Sequence, residues 1–550
     1  MLQQRVLNEW ESVLGREHVV TAEPALQALS AATFSTGQTI PAVLRPATRE
    51  EVQSCLRIAT RFRVPLYPVS SGKNWGYGSG VPVLDGCVLL DLGRMNRILD
   101  FSEELAFVTI EPGVTQGQLV EFLRSRNSRL WIDGTGSSPA CSLIGNTMER
   151  GFGHTPYGDH CAHVCALEVV LPTGEVLDTG LARFAGAAAA PVYRWGVGPC
   201  LDGLFTQSNF GVVTRMTLWL MPAPERFQAF FFRCGTEEGL AAVVDALRPL
   251  RMSGTLRSAV HIGNDYKVLA GIQQYPWSEA GNSTPMPAGL MREFRRRMNF
   301  GPWNGSGGLY GTRRQVAEAR RLVRRALAGK VDKLQFLDDR LLGLASRFSR
   351  ACQLFTSWDL SRALELVRPL FGLLQGIPTD KPLASVYWRK RSAPPDAMDP
   401  DRDRCGLLWW SPVAPAEGRH AEILAAVSSE ILTRHGFEPM LSITLITGRA
   451  LICVISITYD RDVPGEDGRA QACYAELQTT LLAKGYPPYR LGIPSMRQMH
   501  AYGPYGELLE AIKRAVDPAG ILAPGRYAPN SRLAEKPAPS VEAAVGERTH

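Results

Sequence analysis

The sequence predicts an α+β protein built from two unlike units, the first of which ends near Pro222. Up to that point, short apolar runs typical of strands alternate with helical patterns and Gly-rich loops. From about Glu225 the pattern changes to long segments of helical periodicity beside a strand-like run at 450–461 (ALICVISITYDR). The 550 residues, with 45% hydrophobic and 21% charged side chains, are enough for more than one buried core.

The elements of the first unit follow from local signals. Thr48 is a plausible N-cap, and Glu50 and Glu51 suit the first turn of the helix that it opens. Residues 63–80 predict a strand that runs into a Gly-rich loop, and 87–98 predict a second strand. Residues 106–125 then predict a strand, a turn and a helix.

The second unit is predicted to be richer in helices. Segments 241–254, 313–329 and 361–376 have helical periodicity. The charged, Pro-rich segment Arg389–Arg404 predicts a solvated loop. Residues 505–517 predict an amphipathic helix stopped by Pro518, and the polar end of the chain, 531–550, predicts a disordered tail.

Composition excludes several classes of function. The net charge of +7 arises from 60 basic and 53 acidic residues spread along the chain, so no nucleic acid partner is expected. The N-terminus lacks the apolar core of an export signal, and no apolar run reaches the length of about 18 residues that a membrane span needs. The 11 scattered cysteines indicate reduced, buried thiols. We therefore expect a cytoplasmic protein with no membrane contact.

A Gly-rich segment at 68–80 (PVSSGKNWGYGSG) follows a short apolar run. Glycines and small hydroxyl residues let successive backbone N–H groups converge on an anion, so a phosphate or pyrophosphate cradle is the physical interpretation, although such a segment taken alone is more often an ordinary hairpin loop. It is not a Walker loop, which would need Gly at Tyr67 and Ser or Thr at Asn74. A second small-residue loop at 133–145 strengthens the case for a dinucleotide, with its pyrophosphate between the two loops.

Short motifs spaced over nearly the whole chain match one family pattern. They are PATREEVQ, GKNWGYGSG, VLLDLGRMNRIL, TIEPGVTQGQL, LIGNTMERGFGHTPYGDH, ALEVVLPTGEVLDTG, GVGPCLDGLFTQSNFGVVTRMTLWLMPAP, YRLGIPSM and AVDPAGILAPGR. With these motifs the sequence resembles the vanillyl-alcohol oxidase and p-cresol methylhydroxylase (PCMH) family of flavoproteins. The resemblance implies a two-lobed PCMH-type FAD-binding domain and an α+β cap domain that covers the substrate.

The resemblance also implies domain boundaries and a cofactor site. The FAD-binding domain is expected at 1–222 (core about 40–222), the cap at 223–485, and a C-terminal return that completes the site at 486–530. The residues expected to bind FAD are Pro68, Val69, Ser70, Ser71, Gly72, Lys73, Asn74, Gly136, Ser137, Ser142, Gly145, Asn146, Gly153, His154, Gly211, Val213 and Arg526.

The family's chemistry implies a phenolate-binding site. A para-substituted phenol bound as its anion pushes electrons toward the para carbon, so hydride leaves the benzylic carbon for flavin N5 and a quinone methide forms. The protein must stabilise the phenolate, a task that tyrosine hydroxyls and an always-charged guanidinium suit. The matching positions, expected to be catalytic, are Tyr77, Tyr157, Tyr489 and Arg490.

Two departures from the family pattern bear on the reaction. The position of the His that carries covalent flavin in some members is Leu407 here, so FAD is held either without a covalent bond or through another residue. The catalytic Asp of oxidase-type members has no counterpart, and Ser137 stands nearest to it. Without that carboxylate, a reaction that the substrate completes itself, such as loss of CO2, becomes attractive.

Several outcomes share the first step. Simple oxidation of the phenolic substrate ranks first, with desaturation as another use and oxidative decarboxylation close behind. A 2-hydroxy-acid or lactone oxidoreductase and a flavin-binding scaffold without turnover are the further alternatives. The expected electron acceptor is O2 or a redox protein, and the expected assembly is a homodimer or larger homo-oligomer. No metal is expected, because the spacing of His160, His163 and Cys165 does not match a structural zinc site.

Overall fold

The structure is a computed structural model that describes residues 2–343, 360–496 and 503–527, without the side chains of 360–366. The predicted tail at 531–550 lies outside the described residues. The α-helices are α1 (Gln4–Leu14), α2 (Glu23–Leu29), α3 (Arg49–Phe62), α4 (Gln116–Ser125), α5 (Leu143–Met148), α6 (Gly239–Met252), α7 (Asp265–Ile272), α8 (Ala288–Met298), α9 (Arg313–Leu327), α10 (Leu360–Leu373), α11 (Gly418–Arg434), α12 (Glu466–Ala483), α13 (Ile493–Met496) and α14 (Gly503–Val516).

The strands before residue 223 form small sheets. They are β1 (Val19–Val20), β2 (Val43–Leu44), β3 (Leu66–Val69), β4 (Val88–Asp91), β5 (Ile98–Ser102), β6 (Phe107–Ile110), β7 (Leu130–Trp131), β8 (Val164–Val170), β9 (Val176–Asp178), β10 (Val212–Trp219) and β11 (Met221–Pro222). One sheet has the order β1-β2-β4-β3, with β4 parallel to both β2 and β3. A second, antiparallel sheet has the order β5-β6-β10-β8-β9, and β7 pairs with β11.

The strands after residue 222 form one eight-stranded antiparallel sheet. They are β12 (Arg226–Cys234), β13 (Val260–Asn264), β14 (Trp303–Gly311), β15 (Lys333–Leu337), β16 (Cys405–Trp410), β17 (Val413–Pro415), β18 (Met440–Leu445) and β19 (Ala450–Asp460). The order is β15-β12-β14-β13-β18-β19-β16, and β17 pairs with β19. One face of this sheet is apolar and packs against α6, α9, α11 and α12 through side chains such as Leu247, Val323, Leu424 and Leu477.

Local sequence signals account for these elements. The Thr48 hydroxyl accepts a hydrogen bond from the Glu51 N–H and so caps α3, as predicted. A capping box between Thr312 and Gln315 opens α9. The run at 450–461 forms β19, an interior strand whose side chains are almost all buried.

The segment Arg389–Arg404 differs from its predicted solvated state at its first two residues. Arg389 lies buried with its guanidinium 2.6 Å from Glu438, and the Lys390 ammonium lies 2.8 Å from Asp460. Composition indicates a loop correctly, since β16 begins only at Cys405. It does not reveal the acidic partners, which lie between 49 and 70 residues away in sequence.

The described cysteines are free thiols, most of them buried, and Cys200 is exposed. Within the described ranges, no helix combines the length and the apolar character that crossing a membrane requires.

Candidate active site

A large cavity lies between the small sheets of the first unit and the eight-stranded sheet. Its empty space measures about 1260 Å³, part of it open to solvent. The walls are the loop after β3, the segment 137–149 around α5, the segment 205–213, Trp409 of β16, and two C-terminal arginines, Arg490 and Arg526. The cavity is therefore built from segments that are far apart in the chain.

The loop after β3 supplies unused backbone donors. The N–H groups of residues 71–75 make no hydrogen bond to any part of the chain that the structure describes, although Ser71 and Gly72 line the cavity. Gly72 has φ +67°, a backbone conformation that favours glycine, and a Cβ there would meet nothing within 4 Å. Successive free N–H groups along a cavity wall fit a pyrophosphate, so the residues present suit a dinucleotide.

The second small-residue loop approaches the first very closely. The Ser142 hydroxyl caps α5 by accepting from the Gly145 N–H, and the Ser142 N–H donates to the Ser71 hydroxyl. A Cβ on Gly145 would lie 2.4 Å from Ser70 Oγ. The absence of a side chain at Gly145 therefore leaves room for the Ser70 hydroxyl between the two loops.

A cluster of two tyrosines and one arginine lies at Tyr77, Tyr489 and Arg490, and Tyr77 and Arg490 line the cavity. The guanidinium carbon of Arg490 lies 4.0 Å from the ring centre of Tyr77 and 6.0 Å from that of Tyr489. The Tyr77 hydroxyl is 2.9 Å from Ser411 Oγ, and Arg490 donates to the side-chain oxygen of Asn74. The buried Nε of Arg490 has no partner among the described residues. A buried cation with a free donor beside two phenols suits an oxyanion.

The electrostatics of this cluster favour a charged Arg490 and a neutral Tyr77. Burial and the neighbouring Tyr489 raise the pKa of Tyr77 well above its ordinary value, although Arg490 and Ser411 oppose the rise. Burial acts to lower the pKa of Arg490, but Tyr489 and Tyr77 outweigh it, so this pKa stays above its ordinary value. Tyr77 is therefore a hydrogen-bond donor at neutral pH.

Arg526 forms hydrogen bonds with a different set of residues. Its guanidinium donates to Glu149 and to the Tyr67 hydroxyl, and the Tyr527 hydroxyl donates to Glu149 over 3.0 Å. Glu149 is the acidic residue among the cavity's described lining residues. Because Arg526 and Tyr527 both engage it, Glu149 is not a free base.

Most residues singled out from the sequence line this cavity. They are Pro68, Val69, Ser70, Ser71, Gly72, Lys73, Asn74, Tyr77, Ser137, Ser142, Gly145, Asn146, Gly211, Val213, Arg490 and Arg526. Tyr489 lies beside them, with its ring centre 5.5 Å from that of Phe152 and its backbone N–H donating to Ser411. Gly136 and Gly153 lie behind the wall, Gly136 against Pro382 and Gly153 against Asp133.

The structure does not bring Tyr157 into the Tyr77–Arg490 arrangement. The Tyr157 ring stacks on His163 with their centres 3.9 Å apart, in a separate cleft lined also by Arg251. His154 lies apart from the cavity lining too, with its ring centre 4.3 Å from that of His261. Burial is the main reason why the pKa of His154 lies below its ordinary value.

A buried polar network behind the cavity was missed by the sequence reasoning. His160 Nε2 lies 2.6 Å from Asp133 Oδ2, and His160 Nδ1 lies 2.7 Å from the side-chain oxygen of Asn146. Burial alone would raise the pKa of Asp133, but His160 and the Thr155 N–H hold it below its ordinary value. The Gly-rich motifs contain all four residues, yet nothing in their spacing indicates this pairing.

The two departures noted in the sequence lie where they affect the cavity. Leu407 is buried in β16, near the point where a Cβ on Gly76 would lie. The Ser137 hydroxyl lies 2.8 Å from that of Thr135 and 3.2 Å from Cys141 Sγ. Ser137 therefore brings a hydroxyl, and no carboxylate, to the cavity wall.

Comparisons with known proteins identify a family of FAD-binding flavoproteins. Residues 40–180 match the family model described as an FAD binding domain. The chain is 48% identical to 1'-carboxy-chondrochloren decarboxylase of Chondromyces crocatus, over 95% of this chain and 97% of the relative. It is 33% identical to the 4-cresol dehydrogenase [hydroxylating] flavoprotein subunit of Pseudomonas putida, over 88% and 87%. The crystal structure of p-cresol methylhydroxylase with substrate bound superposes with a TM-score of 0.85 at 30% identity, over 95% of this chain and 96% of that one.

The close approach at Gly145 predicts a specific loss of FAD binding. Gly145→Ala places a methyl group against the Ser70 hydroxyl without straining the helix, so this hydroxyl must rotate or the two loops must separate. Either change alters the wall proposed to hold FAD, and the dissociation constant of FAD should rise about tenfold, ~1.4 kcal/mol. The measurement is the flavin-to-protein ratio after purification, followed by titration of the apoprotein with FAD. Gly203→Ala is the matched control, because a Cβ there meets nothing within 4 Å. Wild-type affinity in Gly145→Ala would contradict this placement of FAD.

Proposed function

The chain belongs to the PCMH-type family of FAD-dependent oxidoreductases, and on that premise we propose that it oxidises a 4-hydroxyphenyl acid with loss of CO2. FAD and the family's α+β fold come with that membership. The substrate and the loss of CO2 are the proposal.

The phenol end of the substrate is assigned to Tyr77, Tyr489 and Arg490. Arg490 is buried, keeps its charge and has an unpartnered Nε, so it is the group that stabilises a phenolate. The Tyr77 hydroxyl, fixed by Ser411, adds a neutral donor. A dry site strengthens both interactions, because water does not compete for the oxyanion.

FAD bound along the 68–77 loop would supply the hydride acceptor for the benzylic carbon of the substrate. The substrate thereby becomes a quinone methide, which has two electrons fewer than the phenolate. When the neighbouring carbon bears a carboxylate, the electron pair of the C–CO2 bond forms a carbon–carbon double bond and restores the phenolate. The phenolate then takes up one proton, equal to the one that the phenol released on binding. The overall balance is one hydride and one CO2 lost from the substrate, which leaves a neutral 4-vinylphenol.

The observation that carries the proposal is the absence of a spare carboxylate among the described lining residues. Glu149 is engaged by Arg526 and Tyr527, and Ser137 stands where an Asp would be expected. Hydration of a quinone methide calls for a base that activates water, whereas decarboxylation needs none. The 48% identical relative is named as a decarboxylase, and for this reason we rank decarboxylation above simple oxidation.

Simple oxidation or hydroxylation stays the second candidate. The 33% identical relative is named as a hydroxylating 4-cresol dehydrogenase, and its name calls it a flavoprotein subunit. We propose O2 or a redox protein as the final electron acceptor of this chain, with a small phenolic compound as its substrate.

We also propose that FAD is held without a covalent bond. Leu407 has no nucleophile, and no His is among the described residues that line the cavity. Acid precipitation of the purified protein should therefore release the yellow colour into the supernatant. Colour retained in the pellet would contradict this, and the first peptide to sequence would carry Tyr387, which shares an apolar cluster with Leu407.

Decarboxylation is tested by the products of an anaerobic reaction. The probe is 3-(4-hydroxyphenyl)propanoate with a ¹³C-labelled carboxyl group, mixed with the FAD-loaded protein. We expect one labelled CO2 and one 4-vinylphenol for each flavin reduced, measured by mass spectrometry and by the flavin absorbance. A product that keeps the label, either a hydroxylated or a desaturated acid, would contradict decarboxylation and favour the second candidate.

Removal of one phenolate donor should slow flavin reduction. Tyr489→Phe deletes a hydroxyl beside Arg490, so the limiting rate of anaerobic flavin reduction should fall about 10²-fold. Stopped-flow absorbance measures this rate, and Tyr505→Phe, on an exposed face of α14, is the control that should leave it unchanged. An unchanged rate in Tyr489→Phe would count against the phenolate site.

A further inference from the structure

The eight-stranded sheet has a second face, on which polar residues lie among apolar ones. Directly paired residues of an antiparallel sheet share a face, as do residues two apart on one strand. His261 pairs with Thr444 and Gly263 with Ser442, and Met440 continues this face to Ser456, which pairs with Trp409. Trp409 lines the cavity, and we define the roof face by its polar residues, Gly263 and Trp409: His261, Gly263, Ser442, Thr444, Ser456 and Trp409.

The roof face carries polar atoms that the protein leaves without partners. The buried atoms His261 Nε2, Ser456 Oγ and Trp409 Nε1 make no hydrogen bond within the described ranges. Buried polar groups in native proteins are nearly always paired, because an unpaired one costs roughly 1–3 kcal/mol. Three unpaired donor or acceptor atoms on one face therefore indicate a ligand that pairs with them.

Lys267 brings a positive charge to the same face. The first carbons of its side chain lie over Gly263, where a Cβ would be 3.4 Å from Lys267 Cγ and 3.5 Å from its Cβ. The absence of a side chain at Gly263 leaves room for these carbons. The Lys267 ammonium makes no hydrogen bond or ion pair to any residue in the described part of the chain.

The charge on Lys267 is unusual because no acidic group in the described part of the chain compensates it. Burial lowers the pKa of Lys267 to about 8, and no charged group of the described chain contributes. By contrast, the buried cations Arg389 and Lys390 have acidic partners at 2.6 and 2.8 Å. Lys267 is half-buried, so its ammonium loses part of its hydration, and a bound anion would replace what is lost.

We propose that Lys267 binds the carboxylate of the substrate, with the Ser456 hydroxyl and the Trp409 indole N–H as neutral donors on the same face. This inference rests on the proposed function and adds the residue that selects acids over neutral phenols. Lys267 is a specificity-determining residue, and the phenol end of the same substrate remains with Arg490 and its tyrosines.

The proposed contact between Lys267 and the carboxylate would also favour release of the product. Loss of CO2 removes the group that pairs with Lys267, so the neutral vinyl product loses that interaction while the acid keeps it. A hydrogen-bonded ion pair of this kind is worth about tenfold or more in affinity. We therefore expect 4-vinylphenol to bind at least about tenfold more weakly than the acid from which it comes.

The test compares an acid with its neutral ester in anaerobic flavin reduction. The probes are 3-(4-hydroxyphenyl)propanoate and its methyl ester, and the readouts are the dissociation constant and the limiting rate. In the wild-type protein the acid should bind about tenfold or more tightly than the ester. Lys267→Met should remove this preference by raising the constant for the acid alone, with a smaller change in the limiting rate. Lys267→Arg should keep a preference for the acid.

Lys330→Met is the matched control, because Lys330 is exposed and its substitution should change neither constant. A wild-type dissociation constant for the acid in a flavin-loaded Lys267→Met would overturn the inference. If Lys267→Met does not fold, the wild-type comparison decides by itself, and equal constants for acid and ester would overturn the inference.

The design separates this inference from the proposed function. If the wild-type flavin is reduced but the carboxyl label stays in the product, decarboxylation fails while the acid–ester preference still reports on Lys267. If neither probe reduces the flavin, the proposed function fails and the inference fails with it. If CO2 is released and Lys267→Met keeps the wild-type constant, the proposed function stands and the inference alone is wrong.

Discussion

The site depends on the buried guanidinium of Arg490 and on the residues that hold it in place. Its hydrogen-bond partner is Asn74, the Tyr77 ring lies beneath it, and its Nε stays free. The Gly-rich loop after β3 and the segment near residue 490 must therefore meet, although more than 400 residues separate them. Backbone hydrogen bonds hold the segment near residue 490 in place. The Ile493 N–H donates to the Tyr77 carbonyl, and the Tyr489 N–H donates to the Ser411 carbonyl. A charge that is costly to bury stays in place because two segments of the chain hold it, and the proposed phenolate would compensate it.

Local patterns were sufficient for much of the fold. The cap at Thr48, the helical period of α9 and the alternating run of β19 depend on neighbours within a few residues, and the structure has each of them. The motifs that resemble the PCMH family indicated the α+β fold, the family and FAD-dependent oxidoreduction, and the comparisons confirm these three predictions. The domain boundaries and the roles of the individual site residues stay predictions.

The features that sequence reasoning missed depend on long-range pairing. His160 and Asp133 are 27 residues apart, and only the folded chain shows that they share a buried hydrogen bond. Arg389 and Lys390 belong to a segment whose composition indicates solvent, yet their acidic partners lie on distant elements of the fold. The isolation of Lys267 is likewise a property of its surroundings. A lysine in a helix carries no sign that its charge will lack a partner, so such a residue becomes visible only after packing is known.

In the proposed reaction, two cations with different surroundings divide the tasks of binding and catalysis. Arg490 favours the phenolate over the neutral phenol, and only the phenolate has the electron density that expels hydride, so Arg490 contributes to the rate by raising the reactive fraction of the bound substrate. Lys267 is proposed to face a carboxylate whose charge does not change during hydride transfer, so it contributes mainly to affinity and not to the limiting rate. The same reasoning explains why a carboxylate-binding lysine is compatible with loss of CO2. The quinone methide supplies the electron demand that breaks the C–CO2 bond, and the neutral product then leaves a site whose charge it no longer compensates.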